Sequence, residues 1–454
     1  MVDSSYYYNG GLAEIVARPS PLTFSFVRHW FTGSTSLGLA MELLGLPYVK
    51  RNEPVVALVN GQLMVNLIEE EKTLYQNTLF SYITQQQFAD VPGLHLNWQK
   101  IIRPASWLGT LKLLQKQSIW IAKPEAVVTL AEKLESLIPE PDQTTTLKQV
   151  DRVLTEQVWT YVIAIGTLAE FFATFVRREC KDEKIMHFLS QQIAREDWFF
   201  LSVKDQFQVK SGQMTIANYL LIYGMRADQD YELTCPRWFE IPQEIEKRID
   251  QSMPAPRVDI EKPQVLEKMD KFITALIRLQ IFRTQSRRKA LIFINSLRQS
   301  ILKQAGQTNI KYKLREQLLN LHDDTTPYVF NIKLNQENTF PKNGEGTGVS
   351  KGIALGRVKQ IRSVTAIIPA GVICIFPQAS PEFSILFPRC KGIIFLQGGP
   401  TSHGAIVARE YGVPALVDVR AKNIPDGKLI EIDGVSGKWN ISPGVKPVHL
   451  SGGR

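Results

Sequence analysis

The stretch GGPTSHGAIVAREYGVPALVDV, Gly398 to Val419, decides how the last part of this chain folds. An apolar run, KGIIFL, ends at Gly398 and Gly399, and a segment of helical character, GAIVAREY, starts directly after Thr401, Ser402 and His403. This pattern predicts strand, turn and helix, with Thr401 or Ser402 as the helix cap and His403 at the helix mouth. The uncapped amides of a first turn, together with the helix dipole, form an anion site, so a phosphate carried on His403 would be received there. Gly412 stops the helix and Pro414 prevents its continuation, after which PALVDV returns as a strand. The expectation is a small βαβ unit with a nucleophilic imidazole at its turn. A histidine at such a point also serves as a plain cap or surface residue, and the local pattern leaves both roles open.

The arrangement resembles the phosphohistidine loop of the phosphoenolpyruvate-utilising family. That loop has the form GG, any residue, T, S or C, H, then a helix containing AR and a GIP or GVP exit. Gly398, Gly399, Thr401, Ser402, His403, Ala408, Arg409, Gly412, Val413 and Pro414 supply it here. The resemblance implies a swivelling β/β/α domain in which His403 is the catalytic nucleophile. It also implies that Gly398, Gly399, Thr401, Ser402 and Arg409 hold the phosphorylated loop. Three positions depart from the pattern: Pro400 replaces a basic residue or methionine, Gly404 replaces alanine, and Asp418 stands where glycine is general. A carboxylate facing a phosphohistidine would oppose its charge.

Composition sets outer bounds. With 454 residues, 44% hydrophobic and 21% charged, the chain has the make-up of a globular protein of two or three domains. Cys180, Cys235, Cys374 and Cys390 form no CxxC pair, which suggests neither a zinc site nor a disulfide framework and fits a reducing cytoplasm. The start, MVDSSYYYNGG, has no signal-peptide pattern, and YVIAIGTLAEFFATFV, Tyr161 to Val176, carries Glu170 and is short for a bilayer, so it reads as buried core and no membrane partner is expected. The net charge of +9 is spread along the chain, which argues against nucleic acid and suits an anionic ligand or an acidic partner. His322, Asp323 and Asp324 form a histidine and carboxylate cluster whose spacing suits a helix end, so no metal is assigned.

The fold class expected is multidomain α+β: a large, mainly α-helical domain over 1–334, a linker over 335–348, a phosphohistidine domain over 349–446 and a tail over 447–454. Residues 1–70 read as a compact, turn-rich opening. There Glu14, Pro21, Leu22, Thr23, Val65 and Asn66 match a segment of the same family's middle domain, though Thr23 and Asn66 are equally suited to turns and caps. From Glu125 to Leu321 apolar residues recur three and four apart, predicting a bundle of long helices, one running from about Val265 to Ala305. YGMRADQDYELTCPRWFE, Tyr223 to Glu240, also resembles the family. Its Arg226 and Arg237 suit either an anion site or an ion-pair staple between helices. Arg283 and Arg287, four apart on the long helix, share one face. Family members carry a basic pair at this spacing, which makes these two, with Arg226 and Arg237, candidates for the acceptor site.

NQENTFPKNGEGTG, Asn335 to Gly348, reads as a tether. Beyond it Gly348, Val349, Ser350, Gly352, Asp433, Gly434 and Gly437 match the family's histidine domain. No glycine-rich nucleotide loop is evident, whereas the family's enzymes usually carry an ATP-grasp domain. The function this implies is a phosphotransferase subunit, with no cofactor bound by this chain alone. ATP and Mg2+ sit on a separate ATP-grasp partner, and His403 carries the phosphoryl group to a small-molecule acceptor at the helical domain. The alternative is a non-catalytic regulatory or binding protein that keeps the phosphohistidine fold.

Overall fold

The computed structural model describes residues 6–7, 16, 18–59, 61–74, 107–140, 146–179, 183–250, 269–305, 310, 313–320, 343–362, 366, 368–379, 381–398, 402–417, 421 and 423–442. The chain divides into two compact units, one drawn from residues up to 336 and the other beginning at 337. The first is mainly helical and the second is built on a sheet, so the protein is a mixed α+β chain.

The spine of the first unit is a continuous helical run. It comprises α6 (Leu147–Val153), a π turn (Leu154–Val158) and α7 (Trp159–Glu179). Thr146 opens it with a capping box, accepting the Gln149 amide while the Gln149 side chain accepts that of Thr146 at 2.9 Å. Ala164, Ile165, Leu168, Ala169, Phe172 and Val176 recur three and four apart and are fully buried. A stripe of that width contributes roughly 1.5–3 kcal/mol for each large side chain removed from water. The stripe packs on α12 (Asp270–Ala305), α5 (Pro124–Ser136) and α2 (Ser36–Leu43). Residues Leu147–Val176 are long and apolar enough to cross a membrane, yet their most apolar window is 72% buried inside the protein, as the sequence reading of a core helix expected.

The opening segment is less turn-rich than expected. It holds α1 (Pro21–Trp30) and α2, beside a three-stranded antiparallel sheet of order β1 (Tyr6–Tyr7), β3 (Gln62–Asn66), β2 (Val56–Val59). Asn66 is a cap: its Oδ1 accepts the amides of Ile68 and Glu69 at 3.1 and 3.3 Å. Glu14 lies outside the described residues, as do His322, Asp323, Asp324 and the tail 447–454.

In the second unit eight strands follow the order β4-β11-β10-β6-β7-β8-β9-β5, in which β6 is Ile353–Gln360 and β10 is Leu429–Asp433. The two outermost strands, β4 (Asn343–Glu345) and β5 (Thr347–Ser350), are separated in sequence only by Gly346. The sheet must therefore curl until its ends meet, which is why the backbone is crowded at the closure. A Cβ on Gly434 would stand 1.8 Å from the Ser350 carbonyl oxygen, and one on Gly348 would stand 2.4 Å from that of Gly434. This corrects the expected linker: residues 343–345 and 347–348 are strand, because their peptides pair with β11 (Lys438–Ile441) and β9 (Ala415–Val417). The remainder, 335–342, lies outside the described residues.

The closure predicts opposite outcomes for two glycines. Gly434→Ala is expected to lose about 2 kcal/mol or more, because backbone atoms cannot give way to the new methyl. Gly166→Ala, inside α7 with nothing within 4 Å of its added Cβ, is expected to gain about 0.5–1 kcal/mol. Urea midpoints of the two variants check both signs.

A second prediction concerns pH. Arg315 and Asp151 form a buried ion pair at 2.7 Å. Beside it, burial first and the Arg315 guanidinium second lower His29 from 6.5 to about 4. Between those values the unfolded chain binds the proton and the folded chain does not, so stability is complete above pH 6.5 and falls as pH drops toward 4. His29→Gln is expected to remove this part of the slope, at most about 1.4 kcal/mol per pH unit, in melts between pH 4 and 7.

Candidate functional site

Three parallel strands, β7 (Val372–Phe376), β8 (Gly392–Phe395) and β9, form the buried centre of the second unit, with Ile375 opposite Ile394 and Ile393 opposite Ala415. The crossover from β8 to β9 is α14 (His403–Glu410), so strand, turn, helix and strand follow one another as the sequence pattern predicts. Ser402 is the cap, with extended backbone and its Oγ accepting the Ala405 amide at 3.4 Å. His403 is the first helical residue. Ala405, Ile406, Val407 and Ala408 are buried, and the helix packs on the 3-10 turn Pro381–Arg389. Gly399, Pro400, Thr401 and Asp418 lie outside the described residues.

The segment after β7 sets the loop. Ala379 donates its amide to the Gln397 carbonyl at 2.8 Å and accepts the Gly404 amide on its own carbonyl at 3.0 Å. Gly398, at φ 145°, and Gly404 are the residues that allow this approach: an added Cβ would lie 2.7 Å from Ala379 Cβ in the first case and 2.7 Å from Ala379 Cα in the second. The departure at Gly404 thus has a steric cause, because the Ala379 backbone occupies the space of an alanine methyl. The same contact modifies the expected anion site. The amides of Gly404 and Ala405 are already bonded, to the Ala379 carbonyl and the Ser402 hydroxyl, and so are not open for a phosphate. Arg409 stands in the last turn of α14, about 9 Å along the axis from His403 by helical rise.

In the first unit the structure brings two distant stretches together. Glu232 is buried, and its carboxylate accepts five hydrogen bonds, from the Ser20 amide and hydroxyl, the Thr23 hydroxyl, and the Thr234 amide and hydroxyl, at 2.7–3.0 Å. Arg226 lies between the rings of Trp238 and Phe199, 4.7 and 5.2 Å from their centroids, and pairs with Asp230 at 3.1 Å. Arg237 donates to the carbonyls of Asp230 and Glu232 at 2.7 and 3.5 Å, and burial lowers it to about 10, still protonated at neutral pH. Both side chains are fully buried. As acceptor-site candidates they are therefore corrected: of the two roles open from sequence, the geometry is that of a staple.

Arg283 and Arg287 differ. Both are partly exposed, with Arg283 donating to Gln280 Oε1 at 3.3 Å. By helical spacing they share a side of α12 with Leu276, Gln280, Leu291 and Ile294, all buried. Two partly exposed arginines thus stand on a side of the helix whose other residues are buried. Tyr231 Oη donates to the Arg287 carbonyl at 2.9 Å, tying the staple loop to this point. Sequence reading missed Ala379, Tyr231 and the role of Glu232; the departure at Gly404 was the one signal pointing toward Ala379.

The Ala379 contact makes a prediction. Gly404→Ala is expected to destabilise the second unit by about 1–3 kcal/mol, and Ala379→Gly to recover only part of it, since two of the three clashing atoms are backbone. Thermal melts of the single and double variants check this.

Residues 368–437 match the family described as PEP-utilising enzyme, mobile domain. An uncharacterized phosphotransferase, YvkC, of Bacillus subtilis is 40% identical over 100 residues, 21% of this chain and 12% of that protein. Rifampicin phosphotransferase of the same organism is 38% identical over 99 residues, 21% of this chain and 11% of its own length. A probable phosphoenolpyruvate synthase of Archaeoglobus fulgidus is 39% identical over 97 residues, 20% of this chain and 13% of its own. The matched stretch thus spans little more than a tenth of these relatives. Over residues 368–437, then, this chain is similar to the mobile domain of the PEP-utilising enzymes.

Proposed function

We propose that the protein is a phosphoryl carrier and transferase: His403 takes a phosphoryl group and passes it to a small hydroxyl-bearing or enolate acceptor. The observation that carries this reading is the placement of His403 as the first residue of a capped crossover helix, in a stretch matching the mobile domain. The relatives' printed names, phosphotransferase and phosphoenolpyruvate synthase, support phosphoryl transfer as the reaction type.

In the first half-reaction an imidazole nitrogen of neutral His403 forms an N–P bond while the P–O bond to the donor breaks. The proposed donor is ATP, held with Mg2+ by an ATP-grasp partner. In the second half-reaction the acceptor oxygen forms the new P–O bond, the N–P bond breaks, and a hydroxyl acceptor releases its proton. The acceptor is proposed to bind the helical unit beside Arg283 and Arg287. There two fixed cations would stabilise charge spreading over the phosphoryl oxygens.

Potassium phosphoramidate, which phosphorylates accessible imidazoles, is expected to place one acid-labile phosphate on His403, read by intact mass and 31P NMR. Labelled ATP with a candidate ATP-grasp protein is expected to do the same. Label surviving in His403→Ala overturns the assignment. With the labelled chain and a small-molecule extract, Arg283→Met and Arg287→Met are expected to keep the His403 label and slow its release to small molecules by about 10- to 100-fold.

A further inference from the structure

The π turn in the spine of the helical unit stands beside a set of buried polar side chains. Trp30 and Trp159 stack with centroids 5.0 Å apart, and Thr155 precedes Trp159 by one turn. All three are at least 94% buried, with exposures of 1%, 0% and 6%. Yet Trp30 Nε1, Trp159 Nε1 and Thr155 Oγ1 have no hydrogen-bond partner among the described residues. Leaving a buried donor unmade costs roughly 1–3 kcal/mol, so three in adjoining side chains call for an occupant. The Thr155 carbonyl, by contrast, is satisfied by the Ser36 hydroxyl at 2.6 Å. π turns interrupt helices often at functional sites.

This cluster lies close to the backbone of Arg287. Tyr231 packs its ring 5.8 Å from that of Trp159 while its hydroxyl holds the Arg287 carbonyl, and α12 packs directly on the π turn. We infer that Trp30, Thr155 and Trp159 form the inner wall of a binding site for a neutral molecule bearing carbonyl or ether oxygens. The inference rests on the helical unit being the acceptor unit, and names the class of acceptor. The unpaired groups are two indole N–H donors and a hydroxyl, and none carries charge. Uncharged donors in a buried wall suit neutral acceptor oxygens, whereas an amine finds no acceptor in the indoles and a carboxylate, which at Glu232 takes five neutral donors to hold, finds only three. The ligand's oxygens would thus face the π turn, and its phosphoryl-accepting hydroxyl would face Arg287.

The test uses the full chain labelled with 15N-tryptophan, with the Trp30 and Trp159 indole signals assigned by Trp→Phe variants. Cyclohexanone, cyclohexanecarboxylate and cyclohexylamine are titrated as ketone, anion and amine probes. Cyclohexanone is expected to shift those two indole signals with saturation below about 100 mM, more tightly than the other two probes. Thr155→Val, and independently Trp159→Phe, are each expected to weaken it at least about threefold. Two unmoved indoles, or tighter binding of the carboxylate or the amine, overturn the inference. These readouts do not involve His403, so phosphoramidate labelling stands or falls separately.

Discussion

The helical unit depends on one buried carboxylate. Glu232 receives five hydrogen bonds from the Ser20 to Thr23 turn and from Thr234, and no ion pair among the described residues neutralises it. Its charge is stabilised by neutral donors and by the N-terminus of α1, whose cap is Ser20. The Leu233 amide closes the arrangement by donating to the Thr23 hydroxyl at 3.0 Å. With the loop fixed there, Tyr231 and Glu240 reach α12 at the Arg287 carbonyl and at Arg298, 2.9 and 2.6 Å away. One carboxylate thereby sets the height of the loop against the helix that carries Arg283 and Arg287.

The histidine unit depends on a comparable contact made by backbone alone. The Ala379 peptide lies against the first turn of α14 and bonds on both sides, to Gln397 and Gly404. Because peptide groups do not swing as side chains do, the turn bearing His403 is fixed relative to β7 and β8. The closed sheet behind it, tight at Gly434 and Gly348, keeps those strands in register.

Much of this was legible in the sequence. The GG to GVP stretch fixed strand, turn and helix because apolar runs, cap and stop signals all agreed over a short span, and the 36-residue helix α12 announced itself by periodicity. What could not be read was long-range. Nothing local ties Thr23 to Glu232, more than 200 residues away. The strand residues 343–345 and 347–348 read as tether because glycines and polar residues dominate them, and their pairing comes from partners about 70 to 95 residues later. Arg226 and Arg237 carry the residue types of an anion site, and only burial distinguishes a staple from a binding group.

The use of the first-turn amides bears on how a carrier should behave. A phosphoryl group on histidine brings a charge near −2. A helix mouth with every amide free would hold that charge tightly and slow its departure, since binding that stabilises the ground state as well as the transition state does not speed transfer. Here the Gly404 and Ala405 amides serve the protein's own oxygens and are not free to hold an anion. On the carrier reading, the strong cationic contacts then belong with the acceptor, where Arg283 and Arg287 would meet the phosphoryl group as its charge redistributes. On that reading, weak binding at the carrier and strong binding at the acceptor together favour passing the group on.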